Sequence, residues 1–533
     1  MTVKNLFEKT IVSGLLLAAS LFIPSGLTAQ DSPEKPAFSI HPLFSDHAVL
    51  QQGLTVPVWG TAEPGKKITV SFGDQTVEGK ADEAGQWMVA LKPLTASAEG
   101  ADLVAKSNGT EITVTDMLVG EVWVCSGQSN MAWSVSRTTD AEKIAEEAKA
   151  KKFDGIRLFK VPVAGADERQ KTVEASWALP KPNTIANFSA TGFYFGRALH
   201  RDKDVPVGLI QSANGGTNAY SWINSNTLND DEVAETIRTY WAGMVEKGPA
   251  ALERFEKQKQ AWIDGGKKGR APREPMHAGH AKRPAGHYNA MIAPLQPYAI
   301  QGVIWYQGEA NSRPPFVTEY RDLMFALAKD WRYDWHHATH WNRGPKDAAE
   351  RPRMFPFYIV QLPNYEPGAA WPIIREQMLK FWQDGENTGT IVSIDVGDAT
   401  DIHPQNKLPI GERLARFARA NAYGDDIVYS GPVYDSMMAA DGKVTLTFKH
   451  TGGSLKSRDG EPLRHFEVAG GDGNFVPAEA VIEGDHLIVS ARDIAEPRAV
   501  RYAWKPNPEN INFVNGEDLP ASPFRTDSWD LLE

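Results

Sequence analysis

The hydrophobic pattern divides the chain into three stretches. Near the N-terminus, alternating apolar and polar positions predict β-strands at residues 56–59, 67–72, 86–91, 102–105 and 111–114. Turn signals such as Glu63-Pro64-Gly65 separate these runs, which is typical of a small β-sandwich. The alternation returns beyond residue 423, with strands predicted at 443–448, 465–468, 480–482, 486–489 and 500–504. We therefore predict β-rich domains over residues 38–115 and 424–533.

The middle of the chain instead alternates apolar strands with helical segments. Strands are predicted at 121–125, 207–211, 302–306, 357–361 and 389–395, and helices at 141–152, 320–330, 373–383 and 408–420. This order predicts an α/β domain over 116–423, with a parallel sheet covered by helices on both faces. Two charged segments, near 230–286 and 335–353, are longer than a crossover connection needs, so we interpret them as insertions.

Composition and charge narrow the function classes. The 533 residues are 42% hydrophobic and 23% charged, as expected for a globular protein with a large core. The net charge of -11 would repel the phosphates of DNA or RNA, so nucleic acid is not an expected partner. The lone Cys125 has no second cysteine for an intrachain disulfide.

The first 29 residues have the layout of a secretory signal peptide. Lys4 and Lys9 precede an apolar run at 11–23, and small residues lead to Ala29. The apolar run is shorter than the roughly 20 residues that a membrane-spanning helix needs. We therefore expect cleavage near Ala29 and a secreted or periplasmic protein without stable membrane insertion.

Polar residues follow the predicted parallel strands where catalytic groups of open α/β sheets collect. The strand at 121–125 runs into Ser126-Gly127-Gln128-Ser129-Asn130, so Ser129 lies where a nucleophile would be. A serine hydroxyl needs a neighbouring base and hydrogen-bond donors for the oxyanion that forms during acyl transfer. A G-x-S-x-G pattern is absent around Ser129, which excludes the nucleophile elbow of α/β-hydrolases.

Three other strand ends offer the missing groups. Gly215 and Gly216 follow the strand at 207–211, Asn311 follows 302–306, and His403 follows 389–395. Glycine N–H groups and an asparagine carboxamide are suitable oxyanion donors, and histidine is a suitable base. Each residue alone also fits an ordinary role in a cap or a turn. Only their joint order indicates catalysis.

Together these residues resemble the SGNH hydrolase superfamily, and within it the sialate O-acetylesterase-like carbohydrate esterases. The likeness is carried by four blocks at 120–131, 215–222, 305–311 and 401–407, with further matches at 42–46, 56–60 and 288–291. It covers most of residues 40–420. The resemblance implies an SGNH-type three-layer sandwich with a parallel sheet, and a serine esterase that removes O-acetyl groups from carbohydrate.

The resemblance also implies catalytic roles. Ser129 would be the nucleophile and His403 the general base. Many members of the superfamily carry an aspartate three residues before the histidine, where this chain has Thr400. Asp401 is therefore the expected orienting acid, with Asp398 and Asp395 as substitutes.

Further site residues follow from the same blocks. The oxyanion hole would be built from the backbone N–H groups of Ser129 and of Gly215 or Gly216, with the side chain of Asn311. Candidate substrate contacts are Gln128, Trp222, Gln307 and Glu309. No cofactor or metal is expected, because the histidines at 277, 280, 287, 336, 337 and 340 read as loop residues of the insertions.

Several alternatives stay open at this point. The acetylated substrate is either sialic acid carrying a 9-O-acetyl group or a polysaccharide such as xylan, xyloglucan or pectin. A non-catalytic carbohydrate-binding protein with a degenerate hydrolase core is a competing interpretation. A glycoside hydrolase is another, with Glu309 and either Asp398 or Asp401 as its two carboxylates.

Overall fold

The computed structural model describes residues 37–230, 232–339 and 353–530. The predicted signal peptide at 1–29 and most of the predicted insertion at 335–353 lie outside these ranges. Among the described residues, no helix is long and apolar enough to cross a membrane.

The strands of the described chain are β1 (Ser39–Ile40), β2 (Val49–Gln51), β3 (Val56–Thr61), β4 (Lys67–Phe72), β5 (Gln75–Lys80), β6 (Gln86–Leu91), β7 (Ser97–Ser107), β8 (Thr110–Gly127), β9 (Ile156–Lys160), β10 (Trp177–Ala178), β11 (Val207–Ala213), β12 (Gly302–Tyr306), β13 (Phe357–Val360), β14 (Thr388–Ile391), β15 (Val433–Ala440), β16 (Lys443–Lys449), β17 (Leu455–Ser457), β18 (Phe466–Ala469), β19 (Val476–Pro477), β20 (Glu479–Glu483), β21 (His486–Ser490), β22 (Ala499–Tyr502), β23 (Phe513–Asn515) and β24 (Phe524–Arg525). Its α-helices are α1 (Ser129–Ala132), α2 (Ala141–Lys149), α3 (Pro182–Ala186), α4 (Ala190–Lys203), α5 (Thr227–Asp230), α6 (Glu232–Asp264), α7 (Tyr320–Thr339), α8 (Trp371–Asp384) and α9 (Leu408–Tyr423).

The central sheet has the strand order β10-β9-β11-β8-β12-β13-β14. Neighbouring strands are parallel throughout this order except at one edge, where β10 pairs antiparallel with β9. The apolar runs predicted as parallel strands are all present, whereas β9 and helix α4 were not predicted. A mixed α/β architecture with β-rich regions is thus confirmed.

Helices cover both faces of this sheet, as neighbouring residues of β13 show. Phe357 packs against Trp331 of α7 and Phe381 of α8, with ring centroids 5.8 and 6.3 Å away. Tyr358 packs against Phe417 of α9 at 4.9 Å. Because successive side chains of a strand point to opposite faces, α7 and α8 cover one face and α9 the other. Helix α4 packs beside α9.

The sequence predicted two separate strands, at 111–114 and 121–125, on either side of a domain boundary at 115/116. The structure has one strand, β8, across these residues. It runs without a break through that boundary, pairing antiparallel with β7 and then parallel with β11 and β12. Asp116, with a φ of 53°, marks the irregular point. The N-terminal β region and the central sheet therefore share a strand, which couples them mechanically.

The C-terminal β region packs against α8 of the central domain. Its own core contains Leu446, Val489 and Phe513. Arg375 of α8 is fully buried and donates hydrogen bonds of 2.9 and 2.8 Å to the carbonyl oxygens of Lys505 and Pro506. Burial lowers the pKa of this guanidinium to about 9. These buried hydrogen bonds join the two regions, because a guanidinium N–H left in the interior without its carbonyl partner would be costly.

Candidate active site

Three neighbouring strands end at the same level of the sheet. Gly127 at the end of β8 pairs in register with Ala213 of β11 and with Tyr306 of β12. Gly127 has a φ of 133°, and a Cβ there would lie 2.2 Å from the carbonyl oxygen of Tyr306. Glycine is therefore required where the chain leaves the strand. The segments that follow these ends face one another.

The nucleophile candidate starts the turn after this glycine. Ser129 is half-buried at the first residue of α1. The loop after β11 lies against it, since a Cβ added at Gly215 would lie 3.5 Å from the Cβ of Ser129, and the N–H of Asn214 donates to the carbonyl of Gly127 at 3.1 Å. Within the described chain, the hydroxyl of Ser129 makes no hydrogen bond. It is thus unengaged beside the predicted oxyanion loop.

Asn311 is held in one orientation at the third strand end. Its Oδ1 accepts hydrogen bonds from Gln307 Nε2 at 2.7 Å and from the N–H of Ala219 at 3.0 Å. Its Nδ2 donates to Asn218 Oδ1 at 2.8 Å, which uses one of two amide hydrogens. The side chain is fully buried. Because donors fix the oxygen, the amide nitrogen is the atom left to serve as a donor.

The histidine loop lies directly against the nucleophile turn. Asn130, next to Ser129, donates from Nδ2 to the carbonyl of Ile402 at 3.0 Å. The indole of Trp133 stacks on the imidazole of His403, with ring centroids 4.9 Å apart and an interplanar angle of 13°. The structure therefore brings together the segments of all four predicted blocks.

Of the three candidate orienting acids, Asp401 lies against the imidazole. Its Oδ1 accepts from the N–H of His403 at 2.9 Å and is 3.5 Å from Nδ1 of the same residue. Asp398 accepts the N–H of Asp401 at 3.0 Å and so caps the loop. Asp395 forms an ion pair with Arg413 at 2.6 Å. Asp398 and Asp395 are therefore engaged elsewhere.

The surroundings of His403 favour its neutral form. Partial burial lowers the pKa of its imidazole, and the charge of Asp401 raises it by less. The nearby cations Lys407 and Arg137 lower the pKa further. A neutral imidazole at neutral pH is what a general base requires.

A buried polar network that the sequence did not reveal lies under the nucleophile turn. The side chain of Asn130 donates to Glu309 Oε1 at 2.5 Å and accepts a hydrogen bond from Lys407 Nζ. Asn130 and Lys407 are fully buried, and burial lowers the pKa of Lys407 to about 7 and raises that of Glu309. Asn130 and Lys407 flank the two predicted catalytic residues in sequence, which was the one available signal.

Two of the four predicted substrate contacts lie inside the protein. Trp222 and Gln307 have no exposed surface; the first packs between His287 and Trp305, and the second donates to the carbonyl of Thr217 at 3.0 Å. Both side chains therefore support their neighbours in this structure, and their role as sugar contacts stays a prediction.

The other two predicted contacts are also engaged inside the protein. Gln128 is 3% exposed, and its Oε1 accepts the N–H of Ala310 at 3.2 Å. One carboxylate oxygen of Glu309 binds Asn130, and the other is buried without a hydrogen-bond partner among the described residues. This position under the turn does not match a glycoside hydrolase acid that faces a cleft.

Across residues 37–230, 232–339 and 353–530, no group of histidine, cysteine, aspartate and glutamate side chains is arranged to hold a metal ion. His277 and His280, whose rings are 5.6 Å apart, lie in the segment after α6.

The chain is similar in sequence to known carbohydrate esterases. A family model described as a carbohydrate esterase, sialic acid-specific acetylesterase, matches residues 119–256. Sialate O-acetylesterase from Mus musculus is 31% identical over 510 residues, covering 88% of this chain and 90% of that protein. The chain belongs to the sialate O-acetylesterase family. The family member from Rattus norvegicus is 28% identical over 520 residues, again covering 88% and 90%.

A solved relative extends this likeness to three dimensions. A carbohydrate acetylesterase from Xanthomonas citri, known from its crystal structure, is 33% identical in sequence to this chain. The two structures match with a TM-score of 0.76 over 92% of this chain and 100% of that one. The resemblance inferred from the four sequence blocks is confirmed, and the chain is identified as a carbohydrate O-acetylesterase.

Proposed function

We propose that this chain is a secreted or periplasmic serine esterase that hydrolyses O-acetyl esters of carbohydrate through an acyl-enzyme. In this proposal residues 1–29 are removed as a signal peptide. The catalytic domain spans 116–423 as an SGNH-type three-layer sandwich, and the β-rich regions at 38–115 and 424–533 flank it. No cofactor takes part in the proposed reaction.

Acylation would begin at the hydroxyl of Ser129. His403 takes the proton from Oγ while this oxygen attacks the acetyl carbonyl carbon. The negative oxygen of the tetrahedral intermediate then accepts hydrogen bonds from the N–H of Ser129, from the N–H of Gly215 or Gly216, and from the side chain of Asn311. Asp401 holds the imidazole and stabilises its positive charge.

Acylation would end as the tetrahedral intermediate collapses, and deacylation would then use the same groups with water as the nucleophile. The sugar oxygen leaves with the proton from His403, so the acetyl group stays on Ser129 as an ester. His403 then takes a proton from water, whose oxygen attacks this ester, and acetate leaves as the serine hydroxyl is restored. The balance is one ester and one water consumed for one sugar hydroxyl and one acetic acid.

The observation that carries this proposal is the convergence of four segments at one edge of the sheet. Hydrogen bonds of 3.2 Å or less join the nucleophile turn to the loops that hold Gly215, Asn311 and Ile402. A nucleophile, a base and oxyanion donors are the minimum set for acyl transfer.

The substrate class follows from the relatives. Those relatives are named sialate O-acetylesterases and a carbohydrate acetylesterase. We propose that this chain acts on sialic acid carrying a 9-O-acetyl group or on an acetylated polysaccharide such as xylan, xyloglucan or pectin. Acetate release from a panel of these substrates, measured under one set of conditions, chooses between them.

The deciding experiment is the turnover of p-nitrophenyl acetate by Ser129→Ala. We expect kcat to fall by about 10⁴-fold or more, because nucleophile and base act as one unit. Ser136→Ala is the matched control, since Ser136 is exposed and its hydroxyl has one hydrogen-bond partner among the described residues, Ser134 at 3.0 Å. Unchanged turnover in Ser129→Ala would refute the serine mechanism. Sugar binding without turnover in the unmodified protein would favour the non-catalytic alternative.

A further inference from the structure

The charged segment that follows α6 reaches the predicted oxyanion loop through one lysine. Lys282 Nζ donates hydrogen bonds of 2.7 Å to the carbonyl oxygen of Gly215 and 3.2 Å to that of Gly216. Its side chain is partly buried. A residue of the predicted insertion therefore touches the loop that would bind the oxyanion, although it is remote in sequence.

The geometry of both partners suits this contact. Gly216 has a φ of 65°, and a Cβ there would lie 3.2 Å from the Lys282 nitrogen, so the glycine leaves room for the ammonium. The segment is also anchored beyond the lysine. The N–H of Ala285 donates to the carbonyl of Tyr220 at 3.1 Å, and His287 Nε2 is 2.7 Å from Asn214 Nδ2. The ammonium is thus held against the loop from a fixed base.

The two bonds bear on the donors themselves. The carbonyl of Gly215 and the N–H of Gly216 belong to one peptide group, so a cation that binds the oxygen makes the N–H a stronger donor. The Asn214–Gly215 peptide group also accepts a side-chain hydrogen bond, because the hydroxyl of Thr217 donates to the carbonyl oxygen of Asn214 at 2.9 Å. Both candidate N–H donors therefore belong to peptide groups whose oxygens accept a side-chain hydrogen bond.

We propose that Lys282 is a positioning residue of the oxyanion hole, whose ammonium fixes the Gly215-Gly216 loop and polarises the Gly215–Gly216 peptide group toward the developing negative charge. This inference rests on the proposed serine esterase mechanism. It also gives the charged segment after α6 a role in catalysis.

The ionisable groups around Lys282 decide whether an alkaline change in activity can be assigned to its ammonium. In the described chain these are His280, His287 and Arg283, the last of which is paired with Asp167 at 2.7 Å. Burial lowers the pKa of both imidazoles, that of His287 to about 3, so neither titrates in the alkaline range. Burial also lowers the pKa of Lys282 below its usual value. Activity should therefore decline as pH rises through the pKa of Lys282.

The test compares Lys282→Met, Lys282→Gln and Lys282→Arg on p-nitrophenyl acetate, a neutral ester. For Lys282→Met we expect kcat to fall on the order of tenfold with little change in KM, less than the roughly 10²–10³ for loss of an oxyanion donor itself. Lys282→Arg should retain more activity than Lys282→Gln, and its alkaline decline should disappear because a guanidinium stays charged. Lys268→Met is the control, since Lys268 is exposed in the same segment.

The outcomes separate this inference from the function on which it rests. Activity that survives in Ser129→Ala refutes the serine mechanism. If Ser129→Ala is inactive but Lys282→Met matches Lys268→Met in kcat and pH profile, only the role of Lys282 is refuted. An effect confined to KM for carboxylate-bearing sugars would also overturn it, since the ammonium would then bind substrate. Should Lys282→Met misfold, the difference between Gln and Arg decides alone.

Discussion

The serine side and the histidine side of the site are built differently. On the serine side, Asn130 is fully buried and bonded to Glu309, Ile402 and Lys407. On the histidine side, the side chain of His403 is 27% exposed, and its ring is held by one aromatic stack and by a carboxylate 3.5 Å away.

The difference separates a rigid half from an adjustable half. Both ends of the Asn130 side chain are bonded in this buried network, so another arrangement would leave a polar group unpaired in the interior, which is costly. A half-exposed ring on a loop can shift by a few tenths of an ångström at little cost. We infer that the fold fixes Ser129, the proposed nucleophile, whereas His403, the proposed base, reaches its final hydrogen bond when substrate binds, as catalytic hydrogen bonds often tighten in the complex.

The largest effect is expected from breaking the serine side. Lys407→Met removes a buried ammonium and leaves Glu309 without a compensating charge. We expect a loss of about 3–5 kcal/mol in the free energy of unfolding, the usual range for one partner of a buried pair. Urea denaturation followed by circular dichroism measures this loss.

A double variant sharpens that prediction. In Glu309→Gln/Lys407→Met both charges are absent, so part of the stability should return. A Lys407→Met protein as stable as the unmodified chain would show that the network does not hold the turn.

A smaller effect is expected on the histidine side from Asp401→Asn. The 3.5 Å contact to Nδ1 is loose, so we expect kcat to fall by roughly 10- to 10²-fold, less than the ~10⁴ for a tightly bonded triad aspartate. Because the charge of Asp401 raises the pKa of His403, its loss should move the acidic decline of kcat/KM to lower pH.

Asp398→Asn is the matched control for this change. Asp398 caps the same loop through the N–H groups of Thr400 and Asp401, without contact to the imidazole. Its variant should leave the pH profile in place. A shift in Asp398→Asn and none in Asp401→Asn would reverse the assignment.

The smallest effect is expected from Trp133→Ala. Loss of the stacked indole exposes the imidazole of His403, and since burial lowers its pKa, that pKa should rise. The base is active only when neutral, so the acidic decline should move to higher pH, opposite to Asp401→Asn. We expect a loss in kcat of about tenfold or less, because stacking contributes about 0.5–1.5 kcal/mol. Trp133→Phe should keep most of the wild-type pH profile. An acidic decline at the same pH in Trp133→Ala as in the wild type would contradict the role of the stack.

Local sequence pattern predicted most of the sheet but missed specific parts. Strand β12 has the bounds that were predicted, because a strand buried on both faces is a continuous apolar run in the sequence. Helix α4 was missed since every residue from Ala190 to Leu199 except Arg197 is buried, so this stretch lacks the alternation of apolar and polar positions expected of a surface helix. The continuity of β8 was also missed, because Asp116 in its middle resembles a turn.

The sequence by itself determined which residue types follow the apolar runs: Ser129, Asn311 and His403 each follow one, and an apolar run that ends in polar residues is a local feature. Only the tertiary structure decided which groups surround them. Lys407 lies beneath Ser129, Lys282 reaches Gly215, and Trp133 stacks on His403 through contacts between segments far apart in the chain. Such contacts depend on strand order, register and burial, and these are properties of the packed molecule that no local pattern contains.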